Sequence, residues 1–178
     1  MSKGFARVLV VASLALGAGA VAFGAEVKPA AVAVSKSVPK GWGEDFKAAQ
    51  KQAEKEGKYM LLAFSGSDWC GWCVKMDREI YSDKKFVRQA KRDFVLVMID
   101  SPRDKTILSP LAAEQNRDIV RKFGIRGYPC SILAKPDGSE VKRFSGYQSG
   151  GPEGFLKQLK KAAAEAGKLT PAGKDSEK

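Results

Sequence analysis

Apolar residues occur along this chain in two patterns: short unbroken runs, and stripes at helical spacing. The runs at 59–64 and 94–100 are apolar almost throughout, which predicts two strands covered on both faces. Further along, the run 131–134 and the alternating run 140–144 flank the turn sequence "PDGS". That arrangement predicts a β-hairpin.

The helical stripes predict helices before, between and after these strands. One helix begins near Cys70, a short one covers 83–92, and a polar loop at 101–109 precedes another at about 110–123. The order of elements predicts an α/β sandwich whose first strands are parallel and whose last strand is antiparallel. The positions expected to face inward are Trp42, Phe46, Ala49, Ala53, Cys73, Met76, Ile80, Leu111, Gln115, Ile119, Phe123, Phe155, Leu159, Ala163 and Ala166.

The amino-terminal segment 1–25 has the layout of a secretory signal peptide. Lys3 and Arg7 precede an apolar run, and small residues favour cleavage after Ala22 or Gly24. The alternative is an uncleaved anchor, because a run of about 18 apolar residues is close to the minimum that spans a bilayer. Cleavage is favoured because Ala and Gly make the run a poor anchor.

The remaining chain divides by composition into three parts. Residues 26–40 predict a linker, 41–167 a single folded domain and 168–178 a polar tail. We expect a periplasmic or secreted monomer that is not inserted in a membrane once the signal peptide is removed. Export also places the cysteines in an oxidising compartment, where a disulfide is permitted.

The composition narrows the chemistry. The 178 residues include no histidine, which excludes Cys/His and Ser/His catalysis and His-ligated zinc or copper. The net charge is +11, and removing Lys3 and Arg7 leaves +9. Because these charges are scattered rather than clustered with aromatic residues, we expect no nucleic-acid partner.

Two of the three cysteines, Cys70 and Cys73, form a C-x-x-C motif in which a tryptophan precedes each. Such a motif is a redox couple, half of a metal site or an inert disulfide. Here it follows a predicted buried strand and opens a helix. Free backbone N–H groups at a helix start favour negative charge and lower the pKa of a thiol there.

The sequence "DWCGWC" after an apolar strand, with "GYP" before a later strand and hairpin, resembles the thioredoxin superfamily. It is most similar to exported thioredoxin-like proteins with a "GSDWCGWC" signature, and the resemblance covers residues 42–166. It implies a three-layer sandwich with a central mixed sheet flanked by helices. It also implies a thiol–disulfide oxidoreductase that acts on protein thiols or disulfides, exchanges electrons with an unidentified redox partner and needs no cofactor.

The resemblance assigns roles to the motif residues. Cys70 matches the exposed nucleophile and Cys73 the buried resolving thiol. Pro129 matches the cis-proline of the family, and Tyr128 before it would offer backbone groups to an extended substrate. Trp69 matches a tryptophan common in the family, and Trp69 and Trp72, which flank the nucleophile, are candidate substrate-binding residues together with Tyr128 and Pro129. The alternative for both tryptophan rings is plain packing.

Trp72 departs from the dipeptides of thioredoxin and protein disulfide isomerase, so the direction of electron flow stays open. The strand before the motif also lacks the buried acid of thioredoxin. Asp68 and Asp77 are the candidates to move protons in its place, with a solvated surface charge as the alternative for both.

Three hypotheses follow for the cysteines. The first is an active Cys70/Cys73 couple, and the second is a non-enzymatic binding module with a static disulfide. The third is a metal site that adds Cys130, although three thiolates without histidine would need a further ligand. Cys130 follows Pro129, so we expect its side chain near Cys73, either as a small buried hydrophobe or as a third redox thiol.

Overall fold

The computed structural model describes residues 35–171. The two apolar runs form neighbouring strands, β1 (Tyr59–Ser65) and β2 (Phe94–Asp100). They are parallel and in register from the first residue of each strand to the last, which pairs Ser65 with Asp100. Their carboxyl ends therefore meet at one edge of the sheet, and every side chain in both strands is buried.

The predicted hairpin is present as β3 (Cys130–Ala134) and β4 (Glu140–Ser145). The strand order is β2-β1-β3-β4, and β3 is antiparallel to both of its neighbours. The pattern had predicted that the last strand would be the antiparallel one. Instead, β3 runs opposite to the other three strands, and the tight turn before Glu140 returns β4 to the direction of β1.

In the described part of the chain, residues 35–171, five α-helices flank the sheet, and local signals explain where most of them begin. Asp45, Asp83 and Ser109 each accept a hydrogen bond from a backbone N–H in the first turn that follows. The π-helical turn Asp77–Tyr81 continues the second helix, and a 3₁₀ turn, Lys105–Ile107, precedes the fourth. The helices are α1 (Phe46–Glu56), α2 (Gly71–Met76), α3 (Lys84–Asp93), α4 (Pro110–Lys122) and α5 (Gly151–Ala166).

The sheet separates two hydrophobic clusters, which confirms the predicted three-layer sandwich. The first cluster joins the sheet to the segment 76–81, α3 and α5, and includes Met76, Tyr81 and Phe155. The second joins the opposite face to α1 and α4, and includes Phe46, Ile119 and Cys130. No helix within residues 35–171 has both the length and the apolar character needed to cross a membrane.

Two inward stripes differ from the prediction. In α4 the buried positions are Ala112, Asn116 and Ile119, whereas Leu111 and Gln115 are half-buried. Asn116 is tolerated inside because its side-chain amide donates to the Asp100 carbonyl over 2.9 Å. In the last helix Ala166 is exposed, because Leu156 and Ala162 complete the inward face instead.

Contacts of the folded part also involve residue 35, which lies within the predicted linker 26–40. Ser35 is buried, its N–H donates to the Glu44 carboxylate over 3.1 Å, and its hydroxyl accepts from the Ser109 N–H over 2.8 Å. The last residues of the predicted linker therefore pack on the domain. The predicted signal peptide, the start of that linker and residues 172–178 lie outside the described residues.

Candidate active site

The C-x-x-C motif lies where β1 delivers the chain to α2. Cys70 is the N-cap of α2, and its Sγ accepts the Cys73 N–H over 3.2 Å. The two cysteines form a disulfide with their Cα atoms 5.2 Å apart. Both cysteines are largely buried in the disulfide form, with Cys70 8% exposed and Cys73 1%. The residue at the helix start is thus the more exposed of the two.

A buried carboxylate holds the loop that precedes the motif. Asp100, the last residue of β2, accepts the Ser67 N–H over 3.0 Å and the Ser67 hydroxyl over 2.6 Å. The next residue, Ser101, accepts the Trp69 indole N–H through its carbonyl over 2.8 Å. We did not predict this role of Asp100. The available signal was a single acid that closes an otherwise apolar run.

Gly66 is required where the loop turns beneath Trp69. A Cβ at this position would lie 2.3 Å from Cε2 of the Trp69 ring, closer than any tolerated contact. The ring therefore lies directly over the loop backbone. This packing and the Trp69 indole hydrogen bond together keep the residue before Cys70 in one orientation.

A tryptophan precedes each cysteine of the disulfide, and each tryptophan contacts a tyrosine. Trp69 and Trp72 are 40% and 60% exposed, and with Val74 they are the exposed large apolar residues of the part that the structure describes. The Trp69 ring meets Tyr128 edge-on at 5.4 Å, and the Trp72 ring lies 5.7 Å from Tyr147. We call Trp69, Trp72, Tyr128 and Tyr147 the aromatic surface. Sequence reasoning found three of its members and missed Tyr147.

Charged groups hold the Trp72 half of this surface. The Lys75 Nζ lies 5.3 Å from the Trp72 ring centre and 4.8 Å from that of Tyr147, which are cation–π contacts. The Tyr147 hydroxyl donates to the Glu79 carboxylate over 2.6 Å, which raises the pKa of Tyr147 and lowers that of Glu79. The exposed Trp72 ring thus packs against Lys75 and Tyr147, and Glu79 in turn holds Tyr147.

The peptide bond between Tyr128 and Pro129 is cis, as the resemblance implied. Pro129 is buried, and its carbonyl accepts the Gly146 N–H over 2.8 Å. The contact between Tyr128 and Trp69 brings this loop against the residue that precedes Cys70. The structure therefore brings the two segments of the predicted site together.

The two candidate proton carriers have different surroundings. Asp77 is half-buried, and burial raises its pKa against the opposing effect of a hydrogen bond from the Ser82 hydroxyl. Asp68 is exposed and accepts the N–H groups of Arg103 and Asp104, which lower its pKa. Asp68 is therefore held as a carboxylate that orders the loop after β2.

The expected position of the Cys130 side chain was near Cys73. Cys130 belongs to the hydrophobic cluster shared with α1 and α4, on the sheet face opposite to Met76 and Ile80 of the active-site segment. Alternate strand residues point to opposite faces, so Ser131 faces the active-site segment instead. Burial raises the pKa of the Cys130 thiol, an effect that Arg143 partly opposes.

Among residues 35–171 no group of three or more Cys, His, Asp or Glu side chains is arranged to hold a metal ion.

A redox-capable disulfide at a helix start, on this sandwich, defines the class of thiol–disulfide oxidoreductases. A family model described as a thioredoxin-like domain matches residues 46–163. The chain belongs to this thioredoxin-like family.

The disulfide bond reductase DsbH of Chlamydia pneumoniae is 26% identical over 119 residues, covering 67% of this chain and 70% of DsbH. The thioredoxin-related protein DsbJ of the same organism is 27% identical over 60% of this chain, which spans 30% of DsbJ. A solved structure of the DsbH oxidoreductase superposes with a TM-score of 0.62 and 24% identity, covering 77% of this chain and 90% of that one. The structural likeness concerns the fold.

Proposed function

We propose that this protein exchanges disulfides with protein substrates outside the cytoplasm, using Cys70 as nucleophile and Cys73 as resolving thiol. One observation carries the proposal. The Cys70–Cys73 disulfide lies at the start of α2, and Cys70 is the more exposed of its two residues. The helix start favours a thiolate at that position in the reduced protein.

The reaction balances in two steps. The Cys70 thiolate attacks one sulfur of a substrate disulfide, forms a mixed disulfide and releases the other sulfur as a thiolate that takes up a proton. Cys73 then loses its proton and attacks the Cys70 sulfur, which releases the second substrate thiolate and leaves the Cys70–Cys73 disulfide. Two electrons pass to the substrate, and a partner dithiol restores the reduced form.

Asp77 is the proposed acceptor of the Cys73 proton. It lies four residues after Cys73, so both side chains share one side of the helix. Burial raises the pKa of Asp77 and so brings it closer to the pKa of a thiol than that of an exposed aspartate. A smaller difference in pKa favours proton exchange between the two groups. Asp68 is the weaker candidate, because its oxygens accept two backbone N–H groups.

The aromatic surface is the proposed substrate-binding surface. Trp69 and Trp72 directly precede the two cysteines, each contacts a tyrosine of the surface, and Pro129 directly follows Tyr128. A polypeptide that covers Trp69 and Trp72 would bury exposed apolar area and place its disulfide at Cys70. The backbone of Tyr128 is the proposed partner for the main chain of that substrate.

Two further features complete the proposal. The name of the relative DsbH, a disulfide bond reductase, supports reduction as the direction. The signal-like segment with Lys3 and Arg7 supports export to the periplasm or secretion. Intact-mass measurement of protein from the native host tests export, since retention of residues 1–25 would contradict it.

Insulin reduction with dithiothreitol as electron donor tests the activity. We expect the wild-type protein to speed precipitation of the insulin B chain, and the Cys70→Ser variant to do nothing. A wild-type protein that forms no mixed disulfide and reduces no insulin would contradict the proposal and favour a binding module with a static disulfide.

A further inference from the structure

The active site is assembled from two segments that are far apart in the chain. Cys70 and Cys73 belong to α2, whereas Pro129 precedes β3. Within residues 35–171 one hydrogen bond between side chains joins the segment 70–81 to β3. It links the hydroxyls of Tyr81 and Ser131, which are 2.7 Å apart in the core.

Tyr81 is held in place from three directions. Its ring packs edge-on against Trp42 at 4.9 Å, and its carbonyl accepts the Trp42 indole N–H over 2.9 Å. Its hydroxyl has Ser131 as its partner. Tyr81 ends the π-helical turn Asp77–Tyr81, which continues the helix that carries Cys73. These contacts therefore hold the carboxyl end of that segment in place.

Ser131 is equally constrained. It is fully buried, and its backbone pairs with Ala63 of β1 and Phe144 of β4. It stands two residues after Pro129 and on the sheet face that the active-site segment covers. A hydroxyl at this position therefore has its place determined by the sheet.

We infer that the Tyr81–Ser131 hydrogen bond is a positioning device that holds the Cys70–Cys73 helix in register with the Pro129 loop. The inference rests on the proposed function and adds two residues to it. Neither hydroxyl touches substrate, so both act through the geometry of the cysteines. Losing the bond changes how readily the Cys70–Cys73 disulfide forms and how fast the Cys70 thiolate reacts.

A purely structural role makes a different prediction, and a double variant separates the two. Removing one hydroxyl leaves the other buried without a partner, which destabilises any protein. Removing both in Tyr81→Phe/Ser131→Ala leaves apolar groups of nearly the same shape, which restores most of the stability. If the hydrogen bond positions the cysteines, the reactivity of Cys70 and the stability of the Cys70–Cys73 disulfide should still differ from the wild type in this stable double variant.

The experiment measures two properties of the purified full chain. The first is the equilibrium constant between the Cys70–Cys73 disulfide and reduced glutathione, and the second is the pH profile of iodoacetamide alkylation at Cys70. Tyr59→Phe is the matched control, because it removes a hydroxyl bonded to the Gly167 carbonyl over 2.7 Å. Tyr59 begins β1, at the end of the strand remote from the motif.

We expect Tyr81→Phe, Ser131→Ala and the double variant to change both properties by about two- to tenfold, the range set by one buried hydrogen bond. Tyr59→Phe should match the wild type. Wild-type values in the double variant, or equal changes in Tyr59→Phe, would overturn the inference. Neither measurement needs turnover, so an inactive wild-type protein would contradict the proposed function while the inference is still decided.

Discussion

Two cysteine environments lie on opposite sides of one sheet, and their contrast shows how position determines thiol chemistry. Cys70 caps α2 next to exposed tryptophans and is bonded to Cys73. Cys130 is a free, buried thiol in the cluster between the sheet and the helices α1 and α4. The helix start stabilises a thiolate, whereas apolar surroundings stabilise the thiol.

The comparison extends to what each side chain can do. Under the proposed function, Cys70 would meet the incoming sulfur beside an aromatic surface that binds the rest of the substrate. At Cys130 burial raises the pKa of the thiol, and the residue is 3% exposed. The proposal therefore assigns exchange to the first environment and packing to the second.

The largest expected effect comes from Cys70→Ser. We expect disulfide exchange to fall at least about 100-fold, because the serine hydroxyl is not ionised at neutral pH and cannot replace the thiolate. Cys73→Ser should instead accumulate mixed disulfides at Cys70, visible on non-reducing gels. Full activity in Cys70→Ser, with equal alkylation of Cys70 and Cys73 in the reduced wild-type protein, would contradict the assigned roles.

A second prediction concerns Asp77→Asn. We expect the attack of Cys73 on the mixed disulfide to slow about tenfold, because the acceptor of its proton is lost. Stopped-flow trapping of the mixed disulfide measures this step. Asp68→Asn is the control and should leave the step unchanged, so equal slowing in both variants would remove Asp77 from the mechanism.

The same variants differ in the pH dependence of stability. Burial raises the pKa of Asp77, so the folded protein loses stability as pH rises from the ordinary aspartate range through that raised value. Asp77→Asn should lack this loss. The pKa of Asp68 is lowered by its backbone hydrogen bonds, so Asp68 contributes stability at neutral pH that disappears on acidification. Thermal unfolding between pH 3 and 8 would expose opposite trends.

A smaller effect is expected from Trp72→Ala. The exposed ring would contribute binding area for a protein substrate, so kcat/KM for insulin should fall about three- to tenfold. Turnover of a small disulfide such as hydroxyethyl disulfide should hardly change. Val74→Ala, at the neighbouring exposed apolar position, is the control. An equal loss with both substrates would show that Trp72 acts on the cysteines rather than on binding.

The smallest effect on exchange is expected from Cys130→Ser. Its activity should match that of the wild type, while the free energy of unfolding in urea should fall by about 1 kcal/mol, because a hydroxyl replaces a buried thiol. In the wild-type protein Cys130 should react with iodoacetamide only after unfolding. A mixed disulfide at Cys130 in the folded protein would break the contrast between the two environments.

Much of the fold was predictable because it follows from local rules. The apolar runs 59–64 and 94–100, the turn before Glu140 and the stop at Gly57 each need only neighbouring residues to be recognised. Gly57 adopts a positive φ of 62°, as a helix-ending glycine does. The C-x-x-C spacing was likewise legible, because one helical turn separates the two thiols.

Contacts between distant segments were not predictable in the same way. Gln115 of α4 is half-buried rather than inside the core, and its side-chain amide donates to the Glu44 carbonyl while its oxygen accepts the Phe46 N–H. Tyr147 joins the aromatic surface because α2 places Trp72 and Lys75 beside it. Neither partner can be identified from spacing within a single element.

By itself, the sequence determined which residues form strands and helices, and that Cys70 and Cys73 stand at the junction between a strand and a helix. Only the tertiary structure decided that Cys130 packs in the cluster with α1 and α4 and that Ser131 meets Tyr81. The physical reason is that strand side chains alternate between faces, and a shift of one residue exchanges the two. Residues paired across the sheet share a face, and here Phe64 lies opposite Cys130 and Ala63 opposite Ser131. This pairing determines which residues each layer of helices covers.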